Sequence, residues 1–234
     1  MNTPSDHPRA IDAAAADYRA ILARIEAAGR AAGRHDTRLL AVSKTKPAAA
    51  VRALASQGQR AFGENYVQEA LAKQAELAGL DLEWHLIGPL QSNKCREVAQ
   101  HFDWLQSLDR AKLVTMLARE RPPERGPLNV LIQVNIDDEA SKAGCAPAAV
   151  AALADLVVAE PALRLRGLMA IPQPLAELEQ RRVAFERMRR LFEAVRARHP
   201  GVDTLSMGMS DDFELAIASG ATMVRIGTAL FGAR

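Results

Sequence analysis

Short apolar runs alternate with longer amphipathic stretches along most of the chain, and the spacing of apolar positions switches between two residues and about 3.6 at each change. The short runs predict strands at residues 39–44, 60–63, 83–87, 104–108, 129–136, 163–169, 204–207 and 222–226. The longer stretches predict helices at 48–57, 66–77, 93–101, 109–119, 147–159, 176–198 and 211–218. Eight strands separated by helices predict an α/β fold, a parallel (β/α)8 TIM barrel. A doubly wound sheet uses the same alternation. The barrel is favoured because only a short tail follows the last strand, too little to cover an open sheet edge. Ahead of the first strand, residues 12–32 form an alanine-rich helical run with no strand before it, predicting an extra N-terminal helix. The proline-rich stretch 121–127 reads as a loop, and no Pro/Gly/Ser-rich linker divides the chain. One domain spanning residues 1–234 is expected.

Composition narrows the function classes. Hydrophobic residues make up 49% and charged residues 25%, ordinary for a folded domain with a sizeable core, and the formal net charge is only +2. The arginines between Arg181 and Arg198 alternate with Glu186, Glu193 and apolar positions, the pattern of a solvated helix face; without aromatic interleaving they do not make a nucleic-acid site. Cys95 and Cys145 form neither a C-x-x-C pair nor a metal cluster, so free thiols and no metal are expected. The polar start, Met1 to Pro8, lacks a secretion-signal pattern, and no apolar run is long enough to span a bilayer; a cytoplasmic protein without membrane contact is expected. No long apolar stripe demands a partner, so a monomer is the default.

Candidate chemistry starts at Lys44. Leu40, Val42 and Lys44 share a face at a period of two, which places an amine at the carboxyl end of a buried strand. A charge there is costly unless it is paired, its stem snorkels to water, or the amine is needed neutral to condense with an aldehyde. In a barrel the loops after the last two strands often bind phosphate. Here they read Ser206-Met207-Gly208-Met209-Ser210-Asp211-Asp212 and Ile226-Gly227-Thr228, glycines and hydroxyls at helix starts whose backbone N–H groups suit an anion, although turns and caps use the same residues. Arg225 precedes the second loop as a phosphate partner, a donor to a ring nitrogen, or half of an ion pair. Asn65 and His85 stand at other strand ends. Met169, ending the sixth strand, is either an apolar wall of the site or core packing.

This layout is the one expected for pyridoxal 5′-phosphate (PLP) bound to a lysine. The chain closely resembles the pyridoxal phosphate homeostasis protein family, single-domain relatives of the alanine racemase barrel. The motifs are Ala41-Val42-Ser43-Lys44-Thr45-Lys46-Pro47, Phe62-Gly63-Glu64-Asn65-Tyr66-Val67-Gln68-Glu69, Trp84-His85-Leu86-Ile87-Gly88-Pro89-Leu90-Gln91-Ser92-Asn93-Lys94, Arg166-Gly167-Leu168-Met169, Leu205 to Asp212, and Val224-Arg225-Ile226-Gly227-Thr228. The resemblance implies a PLP-binding protein that maintains the cellular supply of the cofactor, with no established reaction and with transient contact to enzymes lacking it. It implies an internal aldimine on Lys44, phosphate held by Ser206, Gly208, Gly227 and Thr228, and Arg225 near the pyridine ring or the phosphate. Asn65, His85 and Met169 complete the candidate cofactor-binding set. Lys46, or another surface lysine, is a candidate for a second, transient PLP site.

Two enzyme readings use the same residues. A racemase needs a base on each face of the substrate α-carbon, which Lys44 with Tyr66 or His85 would supply. The chain contains two tyrosines, of which Tyr18 lies in the extra helix, and no second domain is expected after the barrel. A Schiff-base aldolase acting on a phosphorylated sugar would use Lys44 and the phosphate loops without a cofactor. The carrier reading is preferred because an arginine donating to the ring nitrogen discourages its protonation and weakens the cofactor as an electron sink.

Overall fold

Eight short strands, most of them buried on both faces, pair in parallel in the order in which they occur and close on themselves. The computed structural model describes residues 6–137, 143–173 and 177–232. Helix α1 (Asp6–Ala31) precedes β1 (Arg38–Val42), α2 (Ala48–Ser56), β2 (Ala61–Glu64), α3 (Val67–Glu76), β3 (Glu83–Leu86) and α4 (Cys95–His101). The second half runs β4 (Trp104–Leu108), α5 (Ala111–Glu120), β5 (Leu128–Gln133), α6 (Val150–Val158), β6 (Leu163–Met169), α7 (Leu178–Arg198), β7 (Thr204–Ser206), α8 (Phe213–Ala218), β8 (Met223–Ile226) and α9 (Thr228–Phe231). Pairing of β1 with β8, from Arg38 opposite Met223 to Ala41 opposite Ile226, closes the ring and excludes the doubly wound alternative.

The period of two sorts each strand into an outward set and an inward set. Phe62, Leu105, Ile132 and Val224 pack outward against helix residues such as Leu54, Val98, Leu117 and Phe185 in one continuous core. Inside the ring, Leu40, Ala61 and Met223 form one small cluster and Trp104, Leu131 and Met169 another. The extra helix lays Tyr18, Ile21 and Ile25, spaced three and four apart, against the barrel. Its neighbours are α8, α9 and α2, across the seam where the barrel closes.

Boundaries move where hydrogen bonds are diverted. The fifth strand stops at Gln133 rather than 136, because Cys145 returns to it: the Cys145 amide donates to the Gln133 carbonyl and the Asn135 amide to the Cys145 carbonyl, each at 2.9 Å. The 121–127 loop holds a short 3-10 turn, Pro123–Arg125, and is pinned by a buried arginine. The Arg121 guanidinium donates to the carbonyls of Ala99, Phe102 and Gly126 at 2.7–2.8 Å. Residues 1–5, the expected helix start at Ala176, and Ala233 and Arg234 lie outside the described residues.

Candidate functional site

A cavity of about 530 Å³ opens where the strands end. Its walls come from the β1 loop (Val42, Lys44, Thr45, Lys46), Asn65 after β2, Ile87 to Pro89 after β3, and Gln133 at the end of β5. Ala143 between β5 and α6, Ile171 and Pro172 after β6, Met209 to Asp211 after β7, and Arg225, Gly227, Thr228 and Gly232 line the rest. Among the described residues of the lining, Lys44, Lys46 and Arg225 face a single carboxylate, Asp211, a balance that favours an anion. The backbone is bare where the walls come together. A β-carbon on Gly88 would lie 2.2 Å from the Asn65 carbonyl oxygen, and one on Gly227 would lie 3.2 Å from that of Val42.

Lys44 follows β1 by two residues and sits half-buried on the cavity wall. Lys46 Nζ donates to the carbonyls of Phe231 and Gly232 at 3.1 Å, tying the same loop to the end of α9. Arg225 stands level with Leu40 of β1, and its long side chain reaches the cavity from there. It is 3% exposed, and among the described residues no carboxylate pairs with it. Burial pulls its pKa down to about 10, with Asp212 acting weakly in the other direction. The guanidinium is held by Ser206 Oγ at 2.9 Å and the Ala170 carbonyl at 2.8 Å.

Below Arg225 a polar chain crosses the barrel interior in one direction. The Ser206 hydroxyl donates to Gln106 Oε1 at 2.7 Å, so Gln106 Nε2 is the atom that faces His85 Nδ1, 2.9 Å away. His85 Nδ1 therefore accepts, and Nε2 carries the proton that is donated to Glu83 Oε1 at 2.7 Å. Arg38 donates to the same Glu83 oxygen at 2.6 Å. His85 also stacks on Trp104, with ring centroids 5.0 Å apart. Burial pushes the His85 pKa down, with the neighbouring Glu83 opposing. Glu83 is held at about 2, since hydrogen bonds from His85 and Arg38 and the charge of Arg38 outweigh its own burial.

The structure gathers Lys44, Asn65, Arg225, Gly227 and Thr228 on one cavity and leaves four expected residues outside it. His85 and Ser206, both fully buried, belong to the chain below Arg225; Met169, also fully buried, packs on Trp104 and Leu131. Gly208 shapes the β7 loop from behind, with φ of 92° and its carbonyl accepting the Arg225 amide. These four lie behind the cavity wall, two of them, His85 and Met169, for a common reason. A strand rises about 3.3 Å per residue, so a residue two places short of the rim lies one layer too deep. Ile87 and Ile171, two residues beyond His85 and Met169, line the cavity, as does Ser210, four residues beyond Ser206 on the β7 loop. Gln133 was missed because the fifth strand was drawn three residues too long. Among the described residues no cluster of His, Cys, Asp and Glu could hold a metal ion, and no helix is long and apolar enough to cross a membrane.

Comparison with known proteins places the chain in a family. Residues 16–234 match the model of the alanine racemase N-terminal domain. The pyridoxal phosphate homeostasis protein of Pseudomonas aeruginosa is 59% identical over 216 residues, covering 92% of this chain and 93% of that protein. The chain belongs to the pyridoxal phosphate homeostasis protein family. The Escherichia coli member is 54% identical over 216 residues, covering 90% of this chain and 92% of its own. Among solved structures, PipY of Synechococcus elongatus, in a structure with PLP bound, is 41% identical with a TM-score of 0.77, covering 84% of this chain and 93% of that one. A D-threonine aldolase from Filomicrobium marinum, 17% identical with a TM-score of 0.76 over 94% of this chain and 60% of that one, shares the fold.

Proposed function

We propose that the protein binds PLP in this cavity, attached through Lys44, and serves to hold and release the cofactor rather than to transform amino acids. The observation that carries the reading is a single arrangement: a primary amine on the wall of a cavity that also holds a buried arginine, with which no carboxylate among the described residues pairs. Bound there, the cofactor supplies an aldehyde carbonyl that condenses with a primary amine and releases water. Lys44 is the amine in position for that bond. Ser210, Gly227 and Thr228 offer backbone N–H groups and hydroxyls to the phosphate, with Ser210 in the role first expected of Ser206. Arg225 adds a fixed charged donor, held by Ser206 and Ala170. The relatives at 54–59% identity are named for pyridoxal phosphate homeostasis, and the Synechococcus relative has a structure with PLP bound, which supports the same role here.

Holding is favoured over α-carbon chemistry by the two groups considered as a second base. Tyr66 is 60% exposed and lines no part of the cavity, and both ring nitrogens of His85 are engaged inside the barrel. Transient contact with enzymes that lack PLP is part of the same proposal. The test is to incubate the PLP-loaded protein with common amino acids in heavy water and follow the α-proton signal by NMR, with Lys44→Ala as control. Exchange no faster than with free cofactor is expected. Exchange that depends on Lys44 would replace the carrier by an enzyme.

A further inference from the structure

On the outer face of β1 and β2, behind the cavity wall, an ammonium group is enclosed by oxygen. Lys73 of α3 is 5% exposed, and its Nζ lies 2.7 Å from Glu64 Oε1, from Glu69 Oε1 and from the Ser43 carbonyl oxygen. Its three donors meet three acceptors. Glu64 is fully buried and also accepts from the Ser43 hydroxyl at 2.6 Å, while its Oε2 is buried with no hydrogen-bond partner. Burial pushes the Glu64 carboxyl up, against the hydrogen bonds from Lys73 and Ser43. Glu69 accepts the amide of Thr45 as well.

Both neighbours of Lys44 are therefore anchored, Ser43 by its carbonyl and hydroxyl and Thr45 by its amide. Thr45 is the one described residue other than glycine with positive φ, 64°. A β-branched side chain resists that conformation, which persists only where the surroundings impose it. Here the surroundings are Glu69 and, through Ser43, the Lys73 and Glu64 pair.

We propose that Lys73, Glu64 and Glu69 are positioning residues for Lys44: from behind the barrel wall they hold the turn that presents its amine to the cavity. The inference rests on attachment of PLP at Lys44. None of the three lines the cavity, so they act through the Ser43 and Thr45 backbone and leave the phosphate loops untouched. Their loss should weaken attachment through the amine while sparing binding that does not use it.

Two variants test this. Glu69→Ala removes the anchor at the half-exposed edge of the cluster and leaves Lys73 with Glu64. The double variant Glu64→Met with Lys73→Met replaces the buried ion pair by apolar chains, a change that proteins often tolerate. Each is titrated calorimetrically with PLP and with pyridoxine 5′-phosphate, whose alcohol in place of the aldehyde cannot attach to an amine. PLP affinity should fall about tenfold in both variants, with the analogue unchanged within about twofold. Glu69→Gln, whose amide oxygen still accepts from Thr45, should restore PLP binding. Wild-type PLP affinity in both variants, or equal losses for the two ligands, would overturn the proposal. A wild-type protein that binds the analogue but gives no visible absorbance with PLP would instead defeat the reading of Lys44, and this inference with it.

Discussion

Ser206→Ala probes the polar chain that fixes Arg225. The hydroxyl accepts from the guanidinium at 2.9 Å and donates to Gln106 Oε1 at 2.7 Å, all three side chains being buried. Alanine removes both bonds at a fully buried position. A hydrogen bond from a charged donor contributes about 1.5–3 kcal/mol and an unsatisfied buried acceptor costs about 1–3 kcal/mol, so a loss of about 2.5–6 kcal/mol is expected. The assay is urea denaturation, read as a lower midpoint at unchanged slope. A cycle with Gln106→Leu separates a chain from two independent contacts. If the chain acts as a unit, the double variant loses less than the sum of the single losses, with a coupling of about 0.5–3 kcal/mol. A loss below about 1 kcal/mol for Ser206→Ala, or strict additivity in the cycle, would refute the continuous chain.

The same chain makes stability depend on pH. His85 is depressed by burial, so below its unfolded pKa of about 6.5 the unfolded chain takes up a proton that the folded state refuses, and stability falls as pH drops from there. His85→Gln should flatten that part of the profile, and an unchanged slope between about pH 6.5 and 5 would contradict the neutral assignment. Arg121→Ala strands the carbonyls of Ala99, Phe102 and Gly126 at the base of α5, and a loss of about 2–4 kcal/mol is expected by the same urea titration. Burial pushes the Cys145 thiol up to about 11 and raises Cys95 as well, so an alkylating reagent at pH 8 should label both only after unfolding, as counted by mass spectrometry.

How much was legible in the sequence differs by layer of the problem. The barrel was readable because its strands carry the period of two and its helices bury one face. Closure is shown by the pairing of β1 with β8. Lys44 was readable because a charge at the end of an apolar alternation stands out by itself. Depth along a strand was not. His85, Met169 and Ser206 lie below the residues that line the cavity, and height depends on the stagger between neighbouring strands, which appears only once Gly63 is set beside His85 and Leu40 beside Arg225. The cluster behind Lys44 left one trace, Glu69 and Lys73 four apart on a helix, which is also the most ordinary of surface pairs. That Lys73 turns inward to meet Glu64 depends on the packing of α3 against β2, which no local pattern encodes.

The central claim is that Lys44 is the amine that attaches PLP. The direct measurement is to load the protein with PLP, reduce it with borohydride, digest it, and locate the pyridoxyl group by peptide mass spectrometry. The account predicts one modified residue, Lys44, and no retained label in Lys44→Ala. A label mapped instead to Lys46 or to another lysine, or label retained in full by Lys44→Ala, would contradict it.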